Sequence, residues 1–401
     1  MDEIQVPLHW NKIKLGEIVK FKSGNSKPKD TVYQPSEEKK IPVYGGNGIL
    51  GYTNSLFSNQ RLLVIGRVGA YCGCVHIAES PNWITDNALY SEKWVINDIY
   101  IDFLAEYLKF FNLNRFQRRG GQPLITQSII HDLYLYLPPL PEQKTIAHTL
   151  RTIQKAKETR QRELELERER KAALMQYLFT HGTRNETREE KEIGEIPESW
   201  KLVKLDSLVE FLSGGTPAKN HPEWWQGSIP WVSTKDLKQP RLSDAIDHIS
   251  KEGLENGSRL VSEKTLLVAV RGMCLAKNIP VAITEVSMAF NQDIKALVPS
   301  SQIEAEYLLC AIQYLKDYLL RFVGTSAHGT KRLPTSSLKT LPIPLPKIEE
   351  QQLIAKVLKF CDRKIQALEK ELTLIDELFH AMLEQLMTGK ISTQPLTETY
   401  V

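Results

Sequence analysis

The sequence predicts an α+β protein made by tandem duplication, in which a mixed α/β domain is followed by a long helix and the pair is then repeated. Three observations lead to this prediction. Two stretches of about 40 residues contain neither Pro nor Gly, the two halves of the chain share matching segments in the same order, and short apolar runs alternate with Gly-rich turns. The two long helices are expected to pair as an antiparallel coiled coil.

Length and composition limit the class of protein. With 401 residues and 45.8 kDa the chain has room for two or three domains, and 42% hydrophobic with 25% charged residues is typical of globular proteins. It contains no apolar run long enough for a membrane span, and its first residues show no signal-peptide pattern. The five cysteines lack zinc spacing, so we predict a cytoplasmic protein without a metal site. The predicted segments are a globular domain, a helix, a linker, a second globular domain, a second helix and a tail: 1–141, 142–182, 183–195, 196–348, 349–389 and 390–401.

Both long helices are bounded by residues that favour helix ends. Pro-rich segments precede them at 137–143 and 341–351, and Pro and Glu suit the first helical turn. Gly182 and Gly389 follow their last turns, where Gly commonly ends a helix. At 1.5 Å per residue each helix should be about 60 Å long.

The second helix carries an unbroken apolar seam with alternating spacings of four and three residues, as in a coiled coil. Its members are Ile354, Leu358, Cys361, Ile365, Leu368, Leu372, Ile375, Phe379, Met382 and Leu386. The seam of the first helix consists of Ile146, Leu150, Ile153, Leu164, Leu174 and Leu178. Four charged residues interrupt that seam: Lys157, Arg160, Glu167 and Lys171. Their side chains are expected either to lie along the seam or to face another protein.

The duplication is visible as matching segments. A shift of 208 residues places the Glu-Gln pair at 142–143 on the Glu-Gln pair at 350–351, and another shift places 10–15 on 200–205. The change of shift indicates loops of different length. Between these matches, the apolar runs that predict strands are 61–65, 71–77, 265–270 and 279–283, and the amphipathic runs that predict helices are 101–117 and 303–323.

The motifs of nucleotide-dependent and metal-dependent enzymes are missing from the sequence. It has no phosphate-binding loop, no dinucleotide-binding glycine pattern and no HExxH, so we predict a chain without catalytic activity. Cys72 and His76 offer a nucleophile and a base, but an apolar Cys-x-Cys strand more often belongs to a core.

Basic residues beside glycines are the best candidates for contacting nucleic acid. Arg67 and Arg271 are predicted to occupy the same place in the two repeats, and Arg reads guanine edges and phosphates. A surface salt bridge is the alternative interpretation. Two Gly-rich loops with basic residues suit contacts with a phosphate backbone, and the alternative is that they are simply solvated. Their candidate residues are Arg118, Arg119, Gln122, His328, Lys331 and Arg332. A polar-aromatic loop that could touch bases adds Tyr44, Asn47 and Tyr52.

Several of these segments, in this order, resemble the specificity (S) subunit of type I restriction-modification systems. The resemblance covers nearly the whole chain. The motifs that carry it are the helix starts, the helix ends, the Trp-containing domain openings and three loop phrases: 138–143, 344–351, 176–180, 385–389, 10–15, 200–205, 41–48, 213–217 and 229–237. The last phrase adds Thr234 and Lys235 to the candidates for DNA binding.

The resemblance implies a non-catalytic subunit with two target-recognition domains that binds a bipartite double-stranded DNA sequence. It also implies two copies of a methylation subunit, which use S-adenosylmethionine to methylate adenine, and restriction subunits that supply motor and nuclease. This chain itself is expected to bind no cofactor. Two alternatives stay open: a coiled-coil scaffold whose globular heads bind proteins, and a nuclease or methyltransferase with unfamiliar motifs.

Overall fold

The computed structural model describes residues 6–116, 123–325, 329–391 and 393. Its contacts divide the chain into two compact units. Unit 1 consists of Met1–Gln161 with Lys370–Val401, and unit 2 is Arg162–Glu369. Both long helices therefore contribute one half to each unit. Within the described ranges, no helix combines the length and the apolar composition that a membrane crossing requires.

Unit 1 contains three small sheets. Its strands are β1 (Asn11–Lys14), β2 (Val19–Ser23), β3 (Ile41–Gly45), β4 (Gly48–Thr53), β5 (Leu62–Gly66), β6 (Val75–Ala78), β7 (Trp83–Ile84), β8 (Ala88–Trp94) and β9 (Tyr134–Leu137). Its helices are α1 (Leu15–Ile18), α2 (Ile101–Phe111), α3 (Gln127–His131) and the first part of α4 (Leu140–His181). The sheets have the strand orders β2-β8-β5-β6, β4-β3-β7 and β1-β9.

Unit 2 repeats this plan with additional strands. These are β10 (Arg188–Lys191), β11 (Gly194–Pro197), β12 (Lys201–Lys204), β13 (Val209–Ser213), β14 (Ile229–Val232), β15 (Arg241–Leu242), β16 (Asp247–Ile249), β17 (Leu260–Val261), β18 (Leu266–Ala269), β19 (Val281–Thr284), β20 (Met288–Phe290), β21 (Ile294–Pro299), β22 (Gly324–Thr325), β23 (Lys331–Arg332) and β24 (Pro342–Leu345). Its helices are α5 (Lys251–Gly257), α6 (Ala305–Tyr314), α7 (Lys316–Leu320), α8 (Thr335–Lys339) and the first part of α9 (Ile348–Met387). The last part of α4 also belongs to unit 2, and the last part of α9 belongs to unit 1.

The sheet topology confirms the tandem duplication. The order β13-β21-β18-β19 in unit 2 repeats β2-β8-β5-β6 in unit 1, and the pair β12-β24 repeats β1-β9. In both units the second sheet contains a parallel pair, β3-β7 or β14-β20. Two halves that share strand order and connection order have one ancestral plan, as the matching segments predicted.

The strand predicted at 71–77 starts later than expected, and two glycines explain the difference. Gly69 and Gly73 adopt φ values of 75° and 88°, which side chains with a Cβ rarely adopt. The chain therefore makes a 3-10 turn at Gly69–Tyr71 and enters β6 only at Val75. The helix predicted at 101–117 is also shorter, because Asn112 takes the left-handed conformation at φ 54° and ends α2 at Phe111.

A buried glutamine fixes the start of each long helix to its own unit. The Gln143 side chain is fully buried, accepts a hydrogen bond from Tyr100 N at 2.8 Å, and donates to Asp98 O and Pro138 O at 3.1 and 2.9 Å. The Gln351 side chain repeats this arrangement in unit 2. Each amide thus satisfies three backbone groups that would otherwise be buried without partners.

The long helices pack antiparallel within each unit, as predicted. In unit 1, Ile146 and Leu150 near the start of α4 share a core with Leu386 near the end of α9. In unit 2, Ile354 near the start of α9 shares a core with Leu178 near the end of α4. The remaining predicted seam residues are all buried or half-buried: Ile153, Leu164, Leu174, Leu358, Cys361, Ile365, Leu368, Leu372, Ile375, Phe379 and Met382.

The charged residues that interrupt the first seam pair with α9. In unit 1, Lys157 bonds to Asp376, and Arg160 lies 2.9 Å from Glu371. In unit 2, Lys171 lies 2.5 Å from Asp362. Ion pairs between the helices thus replace apolar contacts at these positions, as expected if the charged side chains lie along the seam.

Glu167 is the charged seam residue that is most deeply buried, with 4% of its surface exposed. Burial alone would raise the pKa of its carboxyl, but hydrogen bonds from Arg170 and Lys364 outweigh this effect and lower the pKa. The carboxylate is therefore ionised near neutral pH and holds two cations at the helix interface.

Candidate nucleic-acid interface

In unit 1 the segment after β5 pairs with the segment before α3. Ile125 N donates to Arg67 O at 2.9 Å, and Gly69 N donates to Pro123 O at 3.0 Å. Between these bonds, Val68 and Leu124 form an isolated antiparallel bridge. These bonds hold the loop that contains Gly69, whose φ is positive, beside residues 123–125.

The same pattern in unit 2 corrects the predicted equivalence of two arginines. Leu333 N donates to Val270 O at 2.9 Å, and Gly272 N donates to Lys331 O at 3.0 Å. Arg67 therefore corresponds to Val270, and Arg271 corresponds to Val68. The predicted match between Arg67 and Arg271 is wrong by one residue.

A shift of one residue in extended backbone turns a side chain to the opposite face. The two arginines accordingly differ in their surroundings. Arg67 is half-buried and donates to Ser23 Oγ at 2.9 Å. Arg271 is exposed, with its guanidinium 3.6 Å from the Asp293 carboxylate. Of the two, Arg271 is the one whose side chain is exposed enough to contact a large ligand.

Unit 2 concentrates cations around this loop. Arg271 forms an antiparallel bridge with Arg332, so their backbones are adjacent. Lys331 precedes Arg332 on the same short strand and donates to Thr325 Oγ1 at 2.8 Å. Thr234 lies on a neighbouring turn, its methyl group 3.9 Å from where a Cβ on Gly272 would sit. The structure thus brings four predicted candidates together at one surface.

The turn that carries Thr234 has a counterpart in unit 1. Lys235 follows Thr234, is exposed, and lies 3.3 Å from Asp247. In unit 1 the equivalent turn is Gly46-Asn47, with Asn47 exposed and Gly46 packed near the Gly66 backbone. Both turns therefore lie beside the loop that follows β5 or β18.

Two aromatic candidates of unit 1 are less available than predicted. Tyr44 is only 7% exposed in a small core, where burial raises the pKa of its phenol and its hydroxyl accepts from Glu79 N at 3.4 Å. It has no face to offer to a base, so its assignment to the interface is wrong in this conformation. Tyr52 is half-buried, with its backbone paired to Val32.

Four candidates, Arg118, Arg119, Gln122 and His328, lie outside the described residues.

The possible nucleophile and base are not activated. The Cys72 thiol donates to Arg67 O at 3.2 Å, and burial raises its pKa, opposite to the shift of a reactive thiolate. Burial lowers the pKa of His76, whose ring lies 3.3 Å from Gly46 O. Across residues 6–116, 123–325 and 329–391, no group of three or more His, Cys, Asp or Glu side chains is arranged to hold a metal ion.

Comparison with known proteins places these features in a family. The sequence matches the model of the family described as type I restriction modification DNA specificity domain twice, over residues 7–168 and 197–377. The EcoR124I/EcoR124II specificity subunit of Escherichia coli is 32% identical over 167 residues, covering 41% of this chain and 40% of that protein. The MjaVIII specificity subunit of Methanocaldococcus jannaschii is 24% identical over 432 residues, covering 99% and 96%.

A solved structure has a similar fold. The crystal structure of a type I restriction-modification system S subunit from M. genitalium superposes with a TM-score of 0.68 and 15% identity, covering 96% of this chain and 97% of that one.

Proposed function

The chain belongs to the family of type I restriction-modification specificity subunits and contains its DNA specificity domain twice. From this premise we propose that each domain reads one half of a bipartite double-stranded DNA target. The observation that carries the proposal is the duplicated surface, where the loop after β5 or β18 lies beside the turn after β3 or β14 in each unit. Two equivalent loop surfaces in one chain suit the reading of two short sequences.

Phosphates and bases make different demands on such a surface. The cations Arg271, Lys331 and Arg332 of unit 2 suit phosphate oxygens, which set register without reporting sequence. Polar side chains on the neighbouring turns, such as Asn47 and Thr234, are short and suit base edges. Binding should accordingly contain a salt-dependent part and a sequence-dependent part.

We further propose that α9 docks the methylation subunits. In unit 2, Leu353 and Phe360 are 49% and 64% exposed and lie seven residues apart on one side of α9. In unit 1, Leu374 and Leu378 are 54% and 50% exposed and four residues apart. Exposed apolar stripes on a helix suit the amphipathic helix of a partner. Two copies would bind, one for each unit.

In the assembled complex the methylation subunits would use S-adenosylmethionine to methylate adenine, and restriction subunits would add motor and nuclease. This chain would bind no cofactor and perform no reaction itself. Its contribution is the choice of the DNA sequence.

The test is DNA binding followed by mapping of methylation. The purified chain should bind duplexes with an affinity that falls steeply with salt. Sequencing of methylated adenines in cells with and without the chain should reveal one bipartite motif that depends on it. A chain that binds protein partners but no duplex at any salt concentration would be a scaffold, and the proposal would fail.

A further inference from the structure

One residue in each unit occupies the same place beside the proposed interface. Arg67 N donates to Asn87 O at 2.9 Å in unit 1, and Val270 N donates to Asp293 O at 2.8 Å in unit 2. Because Arg67 and Val270 correspond, Asn87 corresponds to Asp293. The preceding residues, Asp86 and Gln292, are therefore equivalent.

A second pair of hydrogen bonds fixes the same alignment independently. Thr85 N donates to Tyr44 O at 2.9 Å, and Asn291 N donates to Val232 O at 3.0 Å. The loops between β7 and β8 and between β20 and β21 thus have one backbone path. The first loop exposes Asp86 and Asn87 at its centre, and the second exposes Gln292.

Asp86 places a negative charge beside the proposed DNA interface, where positively charged side chains would be expected. It is exposed, and its backbone N–H donates to Asn25 O at 2.8 Å. Within the described part of the chain its carboxylate has neither a hydrogen-bond nor an ion-pair partner. A carboxylate at this place repels phosphates, and it is compatible with bound DNA only opposite a hydrogen-bond donor. In the major groove those donors are the amino groups of cytosine and adenine.

Gln292 offers a different pattern at the same place. It is exposed, and its Oε1 accepts from Thr216 Oγ1 at 2.5 Å. The Nε2 donors and one lone pair of Oε1 remain available. A donor and an acceptor side by side match N7 and the amino group of adenine.

We propose that Asp86 and Gln292 determine the base preference at one position of each half-site, Asp86 by accepting from a cytosine or adenine amino group and Gln292 by pairing with adenine. This inference rests on the proposed reading of one half-site by each unit. It adds which residue reads and which base chemistry it selects. The match of Asp86 to Gln292 comes from the backbone hydrogen bonds, because the two residue types differ.

The experiment uses the full chain assembled with its methylation subunits on duplexes randomised at the half-sites, with methylated sites read by sequencing. Asp86→Asn should relax or change one base pair of one half-site by about 5- to 150-fold, the discrimination that a good side-chain–base pair provides. Gln292→Ala should do the same in the other half-site only. Each variant is therefore the control for the other.

Asp132→Asn is the control for charge, since Asp132 pairs with Lys14 at 3.1 Å beside β1 and β9 and lies outside the proposed interface. It should leave the motif unchanged. If Asp86→Asn or Gln292→Ala still binds DNA with the original motif, or changes both half-sites, the inference is overturned. Loss of binding to every duplex would also overturn it, since that outcome assigns the loop to phosphates or to folding. Absence of any motif for the unaltered complex would instead refute the proposed function.

Discussion

Replacing the buried Gln351 by leucine tests how the start of α9 is held in unit 2. The side chain is 1% exposed. Its Oε1 accepts from Glu304 N at 2.8 Å, and its Nε2 donates to Gln302 O and Pro346 O at 3.1 and 3.0 Å. Gln351→Leu keeps the approximate volume of the side chain but leaves three buried backbone groups, one N–H and two carbonyls, without hydrogen-bond partners.

The expected loss follows from these three bonds. An intramolecular hydrogen bond contributes about 1 kcal/mol net, and a stranded buried partner costs about 1–3 kcal/mol. Water can reach part of the site after local relaxation, so we expect the free energy of unfolding of unit 2 to fall by about 3–5 kcal/mol. For a unit of this size that corresponds to a melting temperature lower by roughly 6–20 °C.

The assay is denaturant unfolding of the full chain, followed by hydrogen exchange of the amides near Glu304 and Pro346. Gln366→Leu is the matched control, because Gln366 is exposed on the same helix and such changes usually shift stability by less than about 0.5 kcal/mol. If Gln351→Leu differs from Gln366→Leu by less than about 1 kcal/mol, the buried amide does not anchor the helix and the reasoning is refuted.

Three further outcomes are expected. Phe360→Asp should weaken binding of the methylation subunit at least about tenfold in a titration while leaving duplex binding unchanged, because it charges the apolar stripe; equal affinity would reject α9 as the docking site. Replacing Lys331 and Arg332 by Ala should weaken all duplexes alike and lower the salt slope by about one unit per lost phosphate contact, whereas a loss at one base pair would indicate base reading. Burial lowers the pKa of His131, whose Nε2 accepts a hydrogen bond from Phe21 N at 3.1 Å, so the unfolded state binds a proton on this ring more readily than the folded state does. The free energy of unfolding of unit 1 should therefore fall as the pH drops below about 6.5. His131→Gln should make that fall less steep in unfolding measured as a function of pH.

The regular parts of this fold were predictable from sequence because their patterns are local. An unbroken spacing of four and three identifies α9 without any knowledge of its partner. The repeated Glu-Gln pairs also stood out at sequence level. Their role did not, since a fully buried Gln143 looks the same in a sequence as an exposed glutamine.

The interface was harder to predict, because it depends on hydrogen bonds between distant segments. Matching Arg67 to Arg271 followed residue type, whereas the backbone pairing with Pro123 and Lys331 sets a register one residue away. Likewise, Tyr44 looked like a loop aromatic because it precedes two glycines, yet β3 turns its ring into a core. The residue type determines the chemistry of a side chain, but the register of the backbone hydrogen bonds determines whether that side chain reaches the surface.

The division of the chain into units has a consequence for its synthesis on the ribosome. Unit 2 is one continuous stretch and can complete its core as soon as Glu369 has emerged. Unit 1 needs both ends of the chain, since Leu386 and Met387 of α9 belong to the same core as Trp10. At about 5–20 residues per second, the interval between β9 and the end of α9 is on the order of 10–50 s. During that interval the apolar residues that await α9 stay open to solvent and to chaperones, so the domain that is translated first is the last to be finished.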